Sequence, residues 1–167
     1  MSKQFSDLGI NKELQARLKD IDIVEPTEVQ KKVIPFILQR KKDLVALAKT
    51  GTGKTAAFGL PLLQLINPKK DTIQGIILAP TRELGQQILA NLNLYASYNP
   101  EISVIGLFGG ATIKSHVETL KRTTHIVVAT PGRLLDLIER KAVDIITISY
   151  LVLDEADEMV GALHDEV

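Results

Sequence analysis

From residue 43 onward, short apolar runs alternate with longer stretches of helical periodicity. The runs are Leu44–Ala48, Gly75–Ala79, Ile102–Leu107, Ile126–Ala129 and Tyr150–Leu153. Their length and β-branched content predict strands. The stretches between them predict helices beginning near Gly53, Thr81, Thr112, Pro131 and Glu155. Strands apolar on both faces, alternating with helices, indicate an α/β fold in which a parallel β-sheet is sandwiched by helices. Crossovers in such a sheet are right-handed, so every strand-to-helix turn falls on one edge, the edge where ligands bind. Before residue 43 the pattern is purely helical. Asn11 can cap an amphipathic helix from Lys12 to about Lys19, and Thr27 a second one through Val33, Ile34, Ile37 and Leu38. The expected organisation is a helical region over 1–43 followed by an α/β core over 44–167.

The turns on the ligand edge carry chemistry. Ala48-Lys49-Thr50-Gly51-Thr52-Gly53-Lys54-Thr55 sits between the first strand and its helix. Strand, glycine turn and helix are the context of a phosphate-binding loop. Gly51 and Gly53 let successive N–H groups point inward, and the helix adds its free N–H groups and positive dipole end. Lys54 can reach the β- and γ-phosphates, and the Thr55 hydroxyl can ligate Mg²⁺. The plainer alternative is a glycine-rich turn with an exposed lysine. At the last strand, Tyr150-Leu151-Val152-Leu153 leads into Asp154-Glu155-Ala156-Asp157. Asp154 at a strand tip can hold Mg²⁺ through water, and Glu155 can orient or deprotonate an attacking water. Alternatively, these acids simply favour a helix start.

Composition narrows the setting. At 167 residues the chain is long enough for one domain burying about 70% of its unfolded surface. With 20 basic and 20 acidic residues, any nucleic-acid site must be a local patch rather than a global field. The absence of cysteine excludes disulfides and thiolate metal sites. The start, Met-Ser-Lys-Gln-Phe, has no apolar signal core, and no apolar run approaches a membrane span. The expectation is a soluble cytoplasmic domain without membrane contact. His116, His125 and His164 have no ligand spacing and read as structural or exposed, and Lys41-Lys42 and Lys69-Lys70 read as solvated loop charges.

Together these stretches resemble the DEAD-box family of ATP-dependent RNA helicases. The acidic tetrapeptide is literally Asp-Glu-Ala-Asp. Pro26-Thr27 with Gln30 matches the family's upstream glutamine motif, and Phe5 lies at the family's distance before it. Pro80-Thr81-Arg82-Glu83-Leu84, Gly109-Gly110 and Thr130-Pro131-Gly132-Arg133 follow in family order. The match runs from residue 5 to about 159. It implies an N-terminal RecA-like domain that uses ATP and Mg²⁺. Ala48, Thr50, Gly51, Thr52, Gly53, Lys54 and Thr55 would hold the nucleotide, with Thr55 and Asp154 on the metal. Lys54, Asp154 and Glu155 would carry catalysis, Gln30 would read adenine, and Phe5 would stack on it. Thr81, Arg82, Gly109, Gly110, Thr130 and Arg133 would contact the RNA backbone, which positions a strand without reading its bases. Plainer roles stand beside these: Thr27-x-x-Gln30 is also a capping box, Phe5 could anchor a core, and Thr81 and Thr130 could cap helices.

The sequence also departs from the family. Ala48 stands where the phosphate loop usually begins with Gly, Lys49 where Gln is frequent, and Asp22-Ile23 where a Gly-aromatic pair is usual. The family's Gly-Phe pair after the acids is missing. So are a Ser-Ala-Thr motif, whose strand would lie between the phosphate-loop strand and the Asp-Glu strand, and the second RecA-like domain that supplies arginine fingers. The resulting gap is expected to be closed by direct pairing of those two strands, by strand exchange with another chain, or by a separate segment. The chain alone is expected to bind nucleotide weakly and to be nearly inactive. Two rivals are a non-enzymatic nucleotide- or RNA-binding module and a P-loop ATPase acting on DNA.

Overall fold

A computed structural model describes the backbone of residues 3–39 and 42–164 and the side chains of these as far as residue 160. Lys41 and the His164 side chain lie outside the described residues. The chain forms two compact units, Met1–Ile66 with Asn91–Pro100, and Asn67–Ala90 with Glu101–Val167.

The first unit is helical. A 3-10 turn, Phe5–Leu8, is closed by Gly9 in the left-handed region at φ 91°. Helix α1, Lys12–Asp20, starts where the Leu14 N–H donates to Asn11 Oδ1 at 2.9 Å. Helix α2, Glu28–Gln39, packs along helix α3, Lys54–Leu65. Gln64 ties α3 to the N-terminal turn, accepting from Asn11 N–H and donating to Gly9 O, both at 2.8 Å. The last turns of helix α4, Arg82–Ala96, complete the unit. A Cβ on Gly59 would stand 2.7 Å from Leu92, so α3 packs against those turns through a glycine. Asp22, in place of the family's glycine, takes a left-handed conformation at φ 59°. Aspartate tolerates this region better than most side chains, so the turn survives the replacement.

One expected strand does not form. Residues 44–48 are irregular, with Val45 88% and Leu47 96% exposed. A run apolar on both faces becomes a strand only where neighbours bond its backbone and cover its side chains. Neither happens here among the described residues, and the run stays irregular.

The second unit carries a parallel sheet of strands β1 (Gly75–Leu78), β2 (Val104–Leu107), β3 (Ile126–Ala129) and β4 (Tyr150–Leu153), in the order β2-β3-β1-β4. Ile76, Leu107, Val127 and Ala129 share one face. Leu134 and Leu137 of helix α6, Pro131–Glu139, cover that face, together with Ile113 and Val117 of helix α5, Ile113–Leu120. On the opposite face Ile77, Ile126 and Val128 are fully buried. The fully buried His125 ring joins the strand entries. Its Nδ1 accepts from Ser103 N–H at 3.0 Å, which leaves Nε2 to donate to Pro68 O at 3.2 Å. Helix α7, Ala156–His164, follows β4. Among the described residues β4 pairs only with β1, and Leu151 and Leu153 are 62% and 51% exposed.

Candidate functional site

In the first unit the phosphate loop is curled by two glycines, Gly51 at φ 79° and Gly53 at φ 84°. The Thr52 hydroxyl closes the turn by donating to Lys49 O at 2.7 Å. Gly53 is the N-cap of α3 and has no side chain with which to cap it. The Ala57 N–H donates to Gly53 O at 3.1 Å, which starts the helix on the loop itself. The first turn of the helix lies at the positive end of its dipole, an arrangement suited to an anion. Lys54 and Thr55, both half-buried, occupy the first turn.

Gln30 couples this loop to α2. It is 4% exposed, and its Oε1 accepts from Thr27 N–H at 3.0 Å while Thr27 Oγ1 accepts from Gln30 N–H at 3.4 Å. That is the capping box. Gln30 Nε2 also donates to Gly53 O at 3.1 Å. Each end of the amide thus keeps one hydrogen-bonding position beyond these contacts. The Phe5 ring, 4% exposed, sits as an anchor in the core of this unit and offers almost no open face for stacking. Ala48 is half-buried in the irregular run that enters the loop.

In the second unit Asp154 N–H donates to Leu78 O at 3.0 Å, extending the β4–β1 ladder and fixing Asp154 at the strand tip. Glu155 is left-handed at φ 49°. For a non-glycine residue this costs on the order of 1–3 kcal/mol, a feature that clusters at functional sites. Its carbonyl accepts from Glu158 and Met159 N–H at 3.0 and 3.4 Å, so the strained residue starts the turn into α7.

Of the expected RNA-backbone residues, Gly109 and Gly110 lie on the loop after β2, and Arg82 and Arg133 reach that loop from α4 and α6. Phe108 fits against Gly85 of α4 and Gly106 of β2, where a Cβ would collide with its ring. The following pair, Gly109 and Gly110, is exposed, with Gly110 at φ 94°. The Arg82 guanidinium lies so close over Gly110 that any side chain there would strike it. Arg133 Nη1 donates to the neighbouring Ala111 O at 2.9 Å. Two arginines from different helices therefore reach one tripeptide. Thr81 Oγ1 accepts from Leu84 N–H at 3.3 Å and so caps α4. Thr130 is the N-cap of α6 ahead of Pro131, but its side chain makes no capping bond.

His116 also belongs to this cluster. It is 7% exposed, and its Nδ1 lies 2.8 Å from Arg133 Nη1. A guanidinium only donates, so Nδ1 is the acceptor and the imidazole is neutral. Burial, and secondarily the Arg133 charge, hold its pKa below the usual histidine value. Spacing gave no hint of this contact, because packing of α5 beside α6 creates it.

Among the described residues no group of three or more His, Cys, Asp or Glu could hold a metal alone. No helix among the described residues is long and apolar enough to cross a membrane.

A parallel α/β sheet, a curled amide-lined loop at a helix start and a strand ending in paired acids define a RecA-like P-loop domain. Comparison with known proteins specifies it further. Residues 27–167 match the DEAD/DEAH box helicase family. The chain is 44% identical over 164 residues to the DEAD-box ATP-dependent RNA helicase CshA of Streptococcus pneumoniae, covering 97% of this chain and 31% of that protein. It is 42% identical over 161 residues to the RNA helicase CrhR of Synechocystis, covering 96% and 32%. A crystal structure of a DEAD box protein from the hyperthermophile Methanococcus jannaschii superposes with a TM-score of 0.90 at 36% identity, covering 97% of this chain and 44% of that one. Saccharomyces cerevisiae Dbp5 bound to RNA and ADP BeF3 superposes with a TM-score of 0.86 at 32% identity, covering 95% and 40%. The chain belongs to the DEAD/DEAH box helicase family, and it spans about a third of the length of the curated relatives it matches.

Proposed function

We propose that this chain is the ATP-binding half of an ATP-dependent RNA helicase that couples nucleotide binding and hydrolysis to local separation of RNA strands. The carrying observation is the curled loop Gly51–Thr55, whose Gly53 carbonyl is bonded to the Gln30 amide. This one contact connects the phosphate end of a nucleotide site to the residue expected to read its base. In this reading the first-turn N–H groups of α3 and the Lys54 ammonium bind the triphosphate. The spare donor and acceptor of Gln30 meet the adenine edge. Phe5, with its ring buried, holds the N-terminal turn in place beside that site.

Mg²⁺, held by Thr55 and by Asp154 through water, supplies charge neutralisation of the phosphates when bound. Glu155 orients the attacking water and takes its proton. Its left-handed backbone sets the direction of that carboxylate. Arg82, Arg133 and the N–H groups around Gly109, Gly110, Thr81 and Thr130 hold RNA phosphates. Such contacts carry no base code, so little sequence preference follows. A second RecA-like domain of the same protein provides the remaining charges for turnover. A further strand, from that protein or another chain, adds to the sheet beside β4, whose Leu151 and Leu153 are exposed. A cytoplasmic setting fits this role.

The test is strand separation by the full-length protein on short RNA and DNA duplexes with and without ATP. ATP-dependent opening of RNA but not DNA supports the proposal. Equal action on both would favour a DNA-acting ATPase, and no opening with intact ATP binding would favour a binding module.

A further inference from the structure

Arg133 is a member of the expected RNA-backbone set, yet a guanidinium on a flexible stem positions a phosphate well only if its own orientation is fixed. In this structure Nη1 uses both of its hydrogens, one on Ala111 O at 2.9 Å and one on His116 Nδ1 at 2.8 Å. Nε and Nη2 have no partner among the described residues and remain for a ligand. The His116 ring is buried on α5, whose start is capped by Thr112 Oγ1 accepting from Ser115 N–H at 3.1 Å, so the acceptor is held on a fixed helix.

We propose that His116 is a positioning residue of the RNA-backbone site: its unprotonated Nδ1 and the Ala111 carbonyl clamp Arg133 Nη1 and present the other guanidinium N–H groups to a phosphate. The inference rests on the reading of Arg133 as an RNA contact. His116 itself touches no substrate; it acts through Arg133. A histidine serves here because a neutral ring accepts at Nδ1 while filling a buried, partly apolar site. Glutamine preserves the acceptor, whereas leucine preserves only the bulk.

The experiment measures affinity of the full-length protein for a short labelled single-stranded RNA with a non-hydrolysable ATP analogue, alongside nucleotide affinity. Arg133→Ala reports on the underlying reading and is expected to weaken RNA binding about tenfold or more. His116→Leu is expected to weaken it about fivefold to tenfold with nucleotide affinity unchanged, and His116→Gln to stay within about twofold of wild type. On the Arg133→Ala background, His116→Leu should add less than about twofold, because its effect passes through the missing arginine. If Arg133→Ala weakens binding but His116→Leu does not, or if His116→Leu is as damaging without the arginine, the clamp is wrong and the RNA site stands. If Arg133→Ala binds like wild type, the RNA reading of Arg133 fails and the clamp with it. Should the leucine variant melt below the assay temperature, ¹⁵N spectra of the wild-type imidazole decide. An unprotonated Nδ1 that shifts on RNA binding supports the clamp, and a protonated Nδ1 or a resonance unmoved by RNA overturns it.

Discussion

Gly51 and Gly53 differ in a way that yields a quantitative prediction. Both are left-handed, at φ 79° and 84°. A Cβ on Gly51 would meet nothing within 4 Å. A Cβ on Gly53 would collide with Gln30 Nε2 and stand 3.2 and 3.3 Å from Thr27 Oγ1 and Cγ2. Alanine at either position carries the left-handed cost of about 1–2 kcal/mol, partly offset by a stiffer unfolded chain, for a net of about 1 kcal/mol. At Gly53 alanine must also expel the Gln30 amide. That removes a hydrogen bond contributing about 1 kcal/mol and disturbs a capping box contributing about as much. Gly53→Ala should therefore cost roughly 3 kcal/mol and Gly51→Ala roughly 1, read by urea denaturation. On a Gln30→Ala background the collision is gone, and Gly53→Ala should fall back to about 1 kcal/mol. Equal costs at the two glycines, or a Gly53 cost indifferent to Gln30, would refute the coupling of loop and glutamine.

Asp22→Gly should stabilise the protein by about 0.5–1 kcal/mol by relieving a left-handed aspartate, seen as a higher urea midpoint at unchanged slope. His116 gives a signed pH effect. Its folded pKa lies below the ordinary histidine value of about 6.5, so its neutral form is favoured on folding. Its contribution is fully present above pH 6.5 and is lost as pH falls through the folded value, where the unfolded chain takes up the proton first. Stability measured from pH 7.5 downward should decline, and His116→Gln should remove that part of the decline. Lys54→Ala should abolish detectable nucleotide binding in an equilibrium titration, while heat or urea unfolding stays near wild type. Residues 1–167 alone should hydrolyse ATP negligibly even with RNA; robust RNA-stimulated turnover from that piece would show that no second domain is needed.

Much of the fold was legible because local signals and burial agree. Ile126–Ala129 and Tyr150–Leu153 are strands at the residues read from pattern alone, and α3 to α7 begin within a residue or so of the expected starts. Asn11 and Thr112 cap their helices through their side chains, as small polar residues before an apolar period suggest. Leu44–Ala48 reads equally well as a buried strand, yet what decides its state is a partner strand, and pattern within the run cannot supply one. The same limit applies to Gln30, whose capping geometry was readable at three-residue spacing while its bond to Gly53 O spans 23 residues. His116 and Arg133, 17 residues apart, meet only because α5 and α6 share one face of the sheet. The left-handed backbone of Glu155 had no signal either, since glutamate does not favour that region.

The measurement that bears most directly on the proposed chemistry is RNA-stimulated ATP turnover by the full-length protein carrying Glu155→Gln. The amide keeps the shape of the side chain but cannot accept the proton of the attacking water. Turnover should fall by about 10²–10⁴ while nucleotide affinity stays within about twofold. Turnover equal to that of the wild type would remove Glu155 from the mechanism and, with it, the assignment of the Asp154–Glu155 strand tip as the hydrolytic centre.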